Sequence, residues 1–331
     1  MINSMHASNH LGTISLVTQI LSLAIISPLI ALRAFSRFQL RHQVGIEDGV
    51  SPSMLSISLL ILEVTCYIAW VLYVGHSICT LFYTYSGGEV SSTSESDNIE
   101  QKYKIFYIAT VFYIPMVLCV KTSLIYIFIR LWSPYRGKVI SLYAFLIFII
   151  LYYTIILFIK IFTCNPIRLY WEVGRLDGTC LNRSAIIVTD SVVSVITDLA
   201  ILIFPIALTW TMHMSVSKKL HVIAILGAGS TAIVFSIYRL SLAIMELGAN
   251  NQVDGFMRVL LCDSAEGGLG LICTCIPAIN KLFTEVRRKR REKREEKQRG
   301  NGFSRPSLRP SDAESASLFL HTLPSILSQE S

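Results

Sequence analysis

Long apolar stretches recur along the chain with almost no charged residues inside them. Seven of them are roughly 22–28 residues long, and about 20 helical residues cross the hydrocarbon core of a bilayer. The runs are continuous rather than alternating, which favours spanning helices over barrel strands. We therefore predict an all-α membrane protein, a seven-transmembrane helix bundle. The predicted spans are residues 11–32, 54–76, 105–131, 139–163, 185–210, 220–247 and 257–280.

The composition supports this assignment. Of 331 residues, 53% are hydrophobic and only 15% are charged, whereas soluble proteins carry about 25% charged residues. The spans leave room for short loops and one tail, which excludes a soluble enzyme, a nucleic-acid-binding protein and a secreted disulfide scaffold. The first span is not expected to be a cleaved signal peptide, because no Lys or Arg precedes it and its apolar run is too long.

Basic residues in the short loops predict the orientation, because Lys and Arg are enriched on the cytoplasmic side. They follow spans 1, 3, 5 and 7, while the first ten residues contain none. They are Arg33, Arg37, Arg41, Arg130, Arg136, Lys138, Lys218, Lys219 and the basic segment 281–299. The loop after span 4 is also basic, and it is the one ambiguous case. The sum predicts an extracellular N-terminus and a cytoplasmic C-terminus.

This orientation divides the chain into three parts. Residues 1–10 are predicted to be a short extracellular N-terminus, and residues 11–283 form the transmembrane domain. Residues 284–331 are basic at first and then rich in Ser and Pro, a composition typical of disorder. We predict that this last part is a cytoplasmic tail.

Two cysteines lie in the predicted extracellular loop after span 4. An oxidising environment favours a disulfide between Cys164 and Cys180. Closing a loop of about 16 residues stabilises a fold by roughly 3 kcal/mol. Cys79 and Cys262, near the same side of the membrane, are a second and less favoured pair.

Charge inside a membrane span is costly and usually faces a partner or water, and six ionisable residues of the predicted spans are candidates for an intramembrane polar network. Counting 1.5 Å per residue from the span ends places them in two layers. They are Glu63, Lys121 and Asp198 near the midplane, and Arg239, Asp263 and Glu266 nearer the extracellular ends. Each layer has one cation and two carboxylates. Two interpretations stay open: a structural ion-pair network that fixes how the helices dock, or a polar pocket for a ligand, an ion or a proton.

Seven short motifs occur in order along the predicted spans. They are GIEDG at Gly45–Gly49, Gly75 with His76, KTSLIYIFIRLW at Lys121–Trp132, CNPIRLYWEVGRLDGTC at Cys164–Cys180, Asp198 with Phe204 and Pro205, SIYR at Ser236–Arg239, and Glu266 with Pro277 and Phe283. Together they resemble the fungal rhodopsin-domain family, which includes membrane proteins of satratoxin-type gene clusters and receptor-like proteins tied to plant infection. The resemblance implies a multi-pass membrane protein with a rhodopsin-like helical domain, and it implies little about the ligand. Lys121, Asp198, Arg239 and Glu266 occupy positions that the family pattern also uses.

The family name suggests retinal, but the residues do not support it. A retinal protein needs a lysine near the middle of span 7 for the Schiff base, and residues 257–280 contain none. We expect no retinal and no other cofactor. The seven histidines are spread over both sides of the membrane, so three of them cannot reach one metal site within the bundle. We therefore expect neither a metal site nor an enzyme.

The function that these features favour is a receptor-like sensor of an unknown extracellular ligand, either a small molecule or a peptide. We expect the protein in a lipid bilayer, and the fungal plasma membrane is favoured over endomembranes. Two interpretations of the basic tail stay open: it is attracted to anionic lipid, or it docks a cytoplasmic effector. The alternative is a transporter or channel for a small solute or a proton, tied to a secondary-metabolite cluster. We expect no nucleic-acid partner.

Overall fold

The computed structural model describes residues 2–43, 52–85, 95–132, 136–172, 178–210, 216–245 and 252–302. Nearly all of these residues are helical. The α-helices are α1 Ile2–Gln43, α2 Pro52–Tyr85, α3 Glu95–Leu131, α4 Arg136–Ile161, α5 Arg183–Trp210, α6 Val216–Met245 and α7 Gln252–Gly302. A short loop structure joins α4 to α5, with strands β1 Cys164–Asn165 and β2 Thr179–Cys180 around a 3₁₀ helix, Ile167–Tyr170.

Six stretches of the described helices are long and apolar enough to cross a membrane. They are Gly12–Ser36, Leu60–Tyr85, Ile99–Arg130, Val139–Ile161, Arg183–Phe204 and Gly255–Asn280. In α6 the apolar stretch is shorter, Gly229–Met245. The predicted all-α membrane architecture is confirmed, and six of the described helices are candidate spans by length and composition. The count of seven and the orientation stay predictions.

Some helices extend beyond the predicted spans. α1 begins at Ile2, so residues predicted as a short extracellular segment are helical from residue 2 onward. α7 continues past residue 280 through the basic segment to Gly302, because Arg, Lys and Glu are strong helix formers. Arg288 and Glu292 also form an ion pair of 3.5 Å one helical turn apart. The Ser- and Pro-rich stretch predicted to be disordered lies outside the described residues from 303 onward.

One apolar cluster lies next to the Cys164–Cys180 loop, where the ends of several helices meet. It includes Tyr83, Phe106, Ile187, Ala243 and Phe256, and the rings of Phe106 and Phe256 stack with centroids 4.1 Å apart. These residues lie at the ends of α2 and α6 and near the starts of α3, α5 and α7. Helices α2 and α3 therefore run in opposite directions, and so do α5 and α6, and α6 and α7. We call this end of the bundle the disulfide end.

Helices α3 and α7 form the centre of the bundle. Within an 18-residue stretch of α7, 72% of the residues are buried, against 22% in α1. Small residues explain how closely α7 approaches α3, since a Cβ added at Gly267 would collide with Met116 and one at Gly270 would collide with Val120. Membrane helices commonly pack through such small residues. The outward apolar side chains of α1 and α4 suit contact with lipid.

Candidate functional site

A network of buried charged side chains lies between α3, α5, α6 and α7. On α3, the Lys121 ammonium is 2.8 Å from Asp198 Oδ1 of α5. The same ammonium donates hydrogen bonds to Ser194 Oγ at 3.1 Å and to Thr197 Oγ1 at 2.7 Å. Only 3% of the Lys121 side chain is exposed. A buried ammonium is costly unless its N–H groups donate hydrogen bonds and its charge is paired. Helix α5 supplies these partners for Lys121.

Glu266 of α7 joins the two sides of the network. Its Oε1 accepts a hydrogen bond from Ser194 Oγ at 2.6 Å and lies 3.7 Å from the Lys121 ammonium. Its Oε2 accepts one from the Tyr113 hydroxyl at 2.8 Å and lies 3.8 Å from Arg239 Nη1. One buried carboxylate therefore faces both cations.

Arg239 of α6 completes the network. Its Nη1 is 2.7 Å from Asp263 Oδ1 and also donates to the Tyr113 hydroxyl. The guanidinium carbon lies 4.8 Å from the centroid of the Tyr113 ring. The Nε and Nη2 groups have no hydrogen-bond partner among the described residues, although the side chain is 2% exposed. This leaves unused donors inside the bundle.

Helical periodicity explains why these side chains share faces. Residues three or four apart lie on the same side of a helix, as do Ser236 with Arg239 on α6 and Asp263 with Glu266 on α7. The Ser236 hydroxyl donates to Asp198 Oδ2 at 2.7 Å, so α6 contributes to both ends of the network. With all groups ionised, three carboxylates face two cations, and one negative charge is in excess.

The structure brings together five of the six predicted intramembrane residues. Lys121 meets Asp198, and Arg239 meets Asp263 and Glu266. The two predicted layers are not separate, because Glu266 lies within 4 Å of a cation from each. Whether this set binds a ligand or only fixes the helices stays a prediction.

Glu63 is placed elsewhere, against a residue that the sequence analysis assigned to a loop. Its Oε1 is 3.1 Å from Arg33 Nη2 and its Oε2 is 3.2 Å from Arg33 Nε. Arg33 also donates to the carbonyl of Thr274 on α7. The predicted loop position of Arg33 was wrong, because the first span extends to Ser36 and Arg33 is 1% exposed.

A second buried ion pair was missed by the sequence analysis. Lys160 of α4 and Asp190 of α5 are 2.8 Å apart and both are buried. Asp190 Oδ1 has no hydrogen-bond partner among the described residues. A signal was available: Lys160 precedes the end of predicted span 4 by three residues, and Asp190 follows the start of span 5 by five. Antiparallel neighbours place such positions at similar depth.

A cavity adjoins the network between α3, α5, α6 and α7. About 600 Å³ of space lies between its atoms, part of it open to the surroundings. Lys121, Asp198 and Glu266 contribute to its wall, and apolar side chains such as Phe128 and Leu202 line much of the rest. An occupant that suits this lining is mainly apolar with one polar or charged group.

The loop at the disulfide end contains the predicted bridge. Cys164 and Cys180 are bonded across a separation of 16 residues, and β1 pairs with β2 beside them. The predicted disulfide is confirmed. Cys79 and Cys262, the less favoured pair, are both free thiols.

Comparison with known proteins places the chain among fungal membrane proteins. The family model described as the fungal rhodopsin domain matches residues 32–285. A SAT4 family membrane protein of Emericella nidulans is 25% identical over 201 residues, which cover 60% of this chain and 50% of that protein. Fugralins biosynthesis cluster protein 2 of Gibberella zeae is 25% identical over 123 residues, covering 37% of this chain and 31% of that protein. No solved structure matches. The matched region spans half the length of these relatives or less.

Proposed function

The chain belongs to the fungal rhodopsin domain family and is a multi-pass integral membrane protein, and on that premise we propose that it is a receptor-like sensor of an extracellular ligand. The proposal includes a seventh span formed by α6. Two contacts support that span: Ala243 of α6 joins the cluster at the disulfide end, and Arg239 reaches Asp263 of α7. We also propose that the disulfide end faces the outside of the cell, as the basic loops favour.

One observation supports the sensor function most strongly. Lys121, Asp198 and Glu266 belong both to the wall of the cavity and to the ion pairs that join α3, α5, α6 and α7. A polar group that enters the cavity competes for those pairs. A ligand shifts a conformational equilibrium by its difference in affinity for the two states, and this shared set of groups provides such a difference.

The cavity lining supports a proposal for the ligand class, and the basic segment supports a proposal for an effector. We propose a small organic molecule that is mainly apolar, sensed at the plasma membrane. The name of one relative ties that protein to a biosynthesis cluster for fugralins. The exposed basic stretch 286–297 of α7 is proposed to dock a cytoplasmic effector, although attraction to anionic lipid would use the same charges.

A proton transporter is the second candidate, and one observation favours it. Ionisable groups continue from Asp198 through Lys121 and Glu266 to Arg239 and Asp263, with one carboxylate in excess. Such chains are typical of proton relays in membrane transporters.

Proton flux in proteoliposomes distinguishes the two functions. With a pH-sensitive dye inside and an imposed pH gradient, a sensor should give the same flux as protein-free liposomes. Glu266→Gln should then leave the proton flux unchanged, because in a sensor no protons cross the membrane through the network. A flux above that of protein-free liposomes that disappears in Glu266→Gln, but persists when exposed Glu292 is changed to Gln, would contradict the sensor and support the transporter.

A further inference from the structure

A second pocket lies at the disulfide end, on the side of α3 that faces α4, α5 and the bridged loop. It has about 300 Å³ of space between its atoms, part of it open to the surroundings. The cavity beside Lys121 and this pocket have no lining residue in common. The lining residues are Phe106, Tyr107, Thr110, Lys160, Thr163, Tyr170, Arg183, Ile186 and Ile187. The pocket is therefore a separate candidate for ligand binding.

The formal charges in this lining are both positive. Lys160 is held by Asp190 at 2.8 Å, whereas no described carboxylate lies within ion-pair distance of Arg183. The Arg183 guanidinium carbon lies 4.3 Å from the ring centroid of Tyr170 and 5.4 Å from that of Tyr103. A cation–π contact is an attraction to the ring face and not a hydrogen bond to an acceptor atom. Within the described chain, no group accepts a hydrogen bond from Arg183.

Aromatic and apolar side chains supply most of the remaining wall. The rings of Tyr107 and Tyr170 have centroids 4.9 Å apart, and the Tyr107 hydroxyl is fixed by donating to the carbonyl of Ile161 at 2.9 Å. Burial raises the pKa of Tyr170 to about 12, so its phenol is neutral at physiological pH. A flat ring fits such a wall by stacking or edge contacts.

The start of α5 adds to the positive potential. Asn182 Oδ1 accepts a hydrogen bond from the Ala185 amide at 3.3 Å, which caps the helix in the manner preferred at N-termini. The positive end of the helix dipole lies here and favours negative charge nearby. Arg183 and Ile186, in the first turn of α5, both line the pocket.

We propose that this pocket binds a small aromatic carboxylate, whose carboxylate group is held by Arg183 and Lys160 and whose ring lies against Tyr107 and Tyr170. Arg183 has the planar donors that match a carboxylate in bidentate fashion. Lys160 already binds one carboxylate, that of Asp190, so a bound ligand competes with Asp190 for its ammonium. The proposal does not depend on whether the protein is a sensor or a transporter.

Benzoate and benzamide are matched probes for this site, because they have nearly the same shape and differ in charge. Binding is measured by calorimetry on the full chain in lipid nanodiscs. Benzoate should bind saturably and at least tenfold more tightly than benzamide. The variant Arg183→Gln should weaken benzoate binding at least tenfold, since it removes a hydrogen-bonded charge pair worth more than about 1.4 kcal/mol. The control is Arg168→Gln, which changes an exposed arginine of the same loop and should leave the affinity unchanged.

Three results would overturn the proposal: no benzoate binding, equal binding of benzamide, or full benzoate affinity in Arg183→Gln. If the glutamine variant does not fold, Arg183→Lys decides the question instead. Lysine keeps the charge and loses the planar pair of donors, so benzoate affinity should fall about threefold or more. An unchanged affinity in that variant would remove Arg183 from the site.

Discussion

Replacing Lys121 with methionine should lower the free energy of unfolding by about 3–5 kcal/mol, because removing one partner of a buried ion pair leaves the other charge uncompensated. Asp198 would lose its only cation within ion-pair distance among the described residues. Glu266 would keep Arg239 but lose the attraction of the ammonium 3.7 Å away. Ser194 and Thr197 would also lose a donor.

Unfolding by SDS titration in mixed micelles measures this change, with folded yield from size-exclusion chromatography as a second readout. The double variant Lys121→Met with Asp198→Leu should recover much of the loss, since an apolar pair can replace a buried ion pair at little cost. Lys104→Met serves as a matched control, because Lys104 lies on the same helix and is exposed. A Lys121→Met protein that folds with normal yield and stability would reject the structural role of the network.

Replacing Arg33 with methionine should cost about 3 kcal/mol, near the lower end for a broken buried pair, because Glu63 is partly exposed at 15%. The guanidinium makes two hydrogen bonds to Glu63 and one to the carbonyl of Thr274. Its loss would weaken the contact of α1 with both α2 and α7. Had Arg33 been in a cytoplasmic loop, as its position after the apolar stretch suggested, the same change would have little effect.

The same SDS titration tests this prediction, with exposed Arg136 changed to methionine as the control. Arg136→Met should change the stability by less than about 0.5 kcal/mol, as is usual for surface substitutions. Arg33→Met combined with Glu63→Leu should recover stability. Equal and small effects at Arg33 and Arg136 would mean that the Arg33 contacts contribute nothing to the fold.

The helical architecture was predictable because a helix that crosses lipid needs a continuous run of apolar residues, and such runs are evident in the sequence. Depth was predictable as well, since the rise per residue is constant; it placed Lys121 and Asp198 together. Rotation about the helix axis was not, because it depends on packing. Gly267 and Gly270 allow α7 to approach α3 closely. This approach brings Glu266 between Lys121 and Arg239. Glu266 therefore joins the two layers of charged residues that the depth count had predicted to be separate.

Two parts of the site were missed for different reasons. Lys160 and Asp190 are detectable in the sequence by the same depth count. Tyr113 gives no signal in a single sequence, because a tyrosine within an aromatic-rich span cannot be distinguished from an ordinary residue of the apolar core. Its hydroxyl contacts both Glu266 and Arg239, and only the structure shows this. No motif in the sequence specifies the shape of either pocket.

The central claim is that the Glu266 network holds α6 in place against the rest of the bundle. Gly137 on α4 and Gly227 on α6 are suited to spin labels, because both are exposed and an added Cβ meets no atom within 4 Å. The background should lack Cys79 and Cys119, the two free cysteines that are only partly buried. Electron-electron double resonance then measures the distance between the labels.

The network predicts that Glu266→Gln shifts or broadens the distance distribution between residues 137 and 227, because the glutamine no longer attracts Lys121 and Arg239. The control Glu292→Gln should leave the distribution as in the unsubstituted protein. An identical, narrow distribution in all three proteins would contradict the claim that these buried charges set the position of α6.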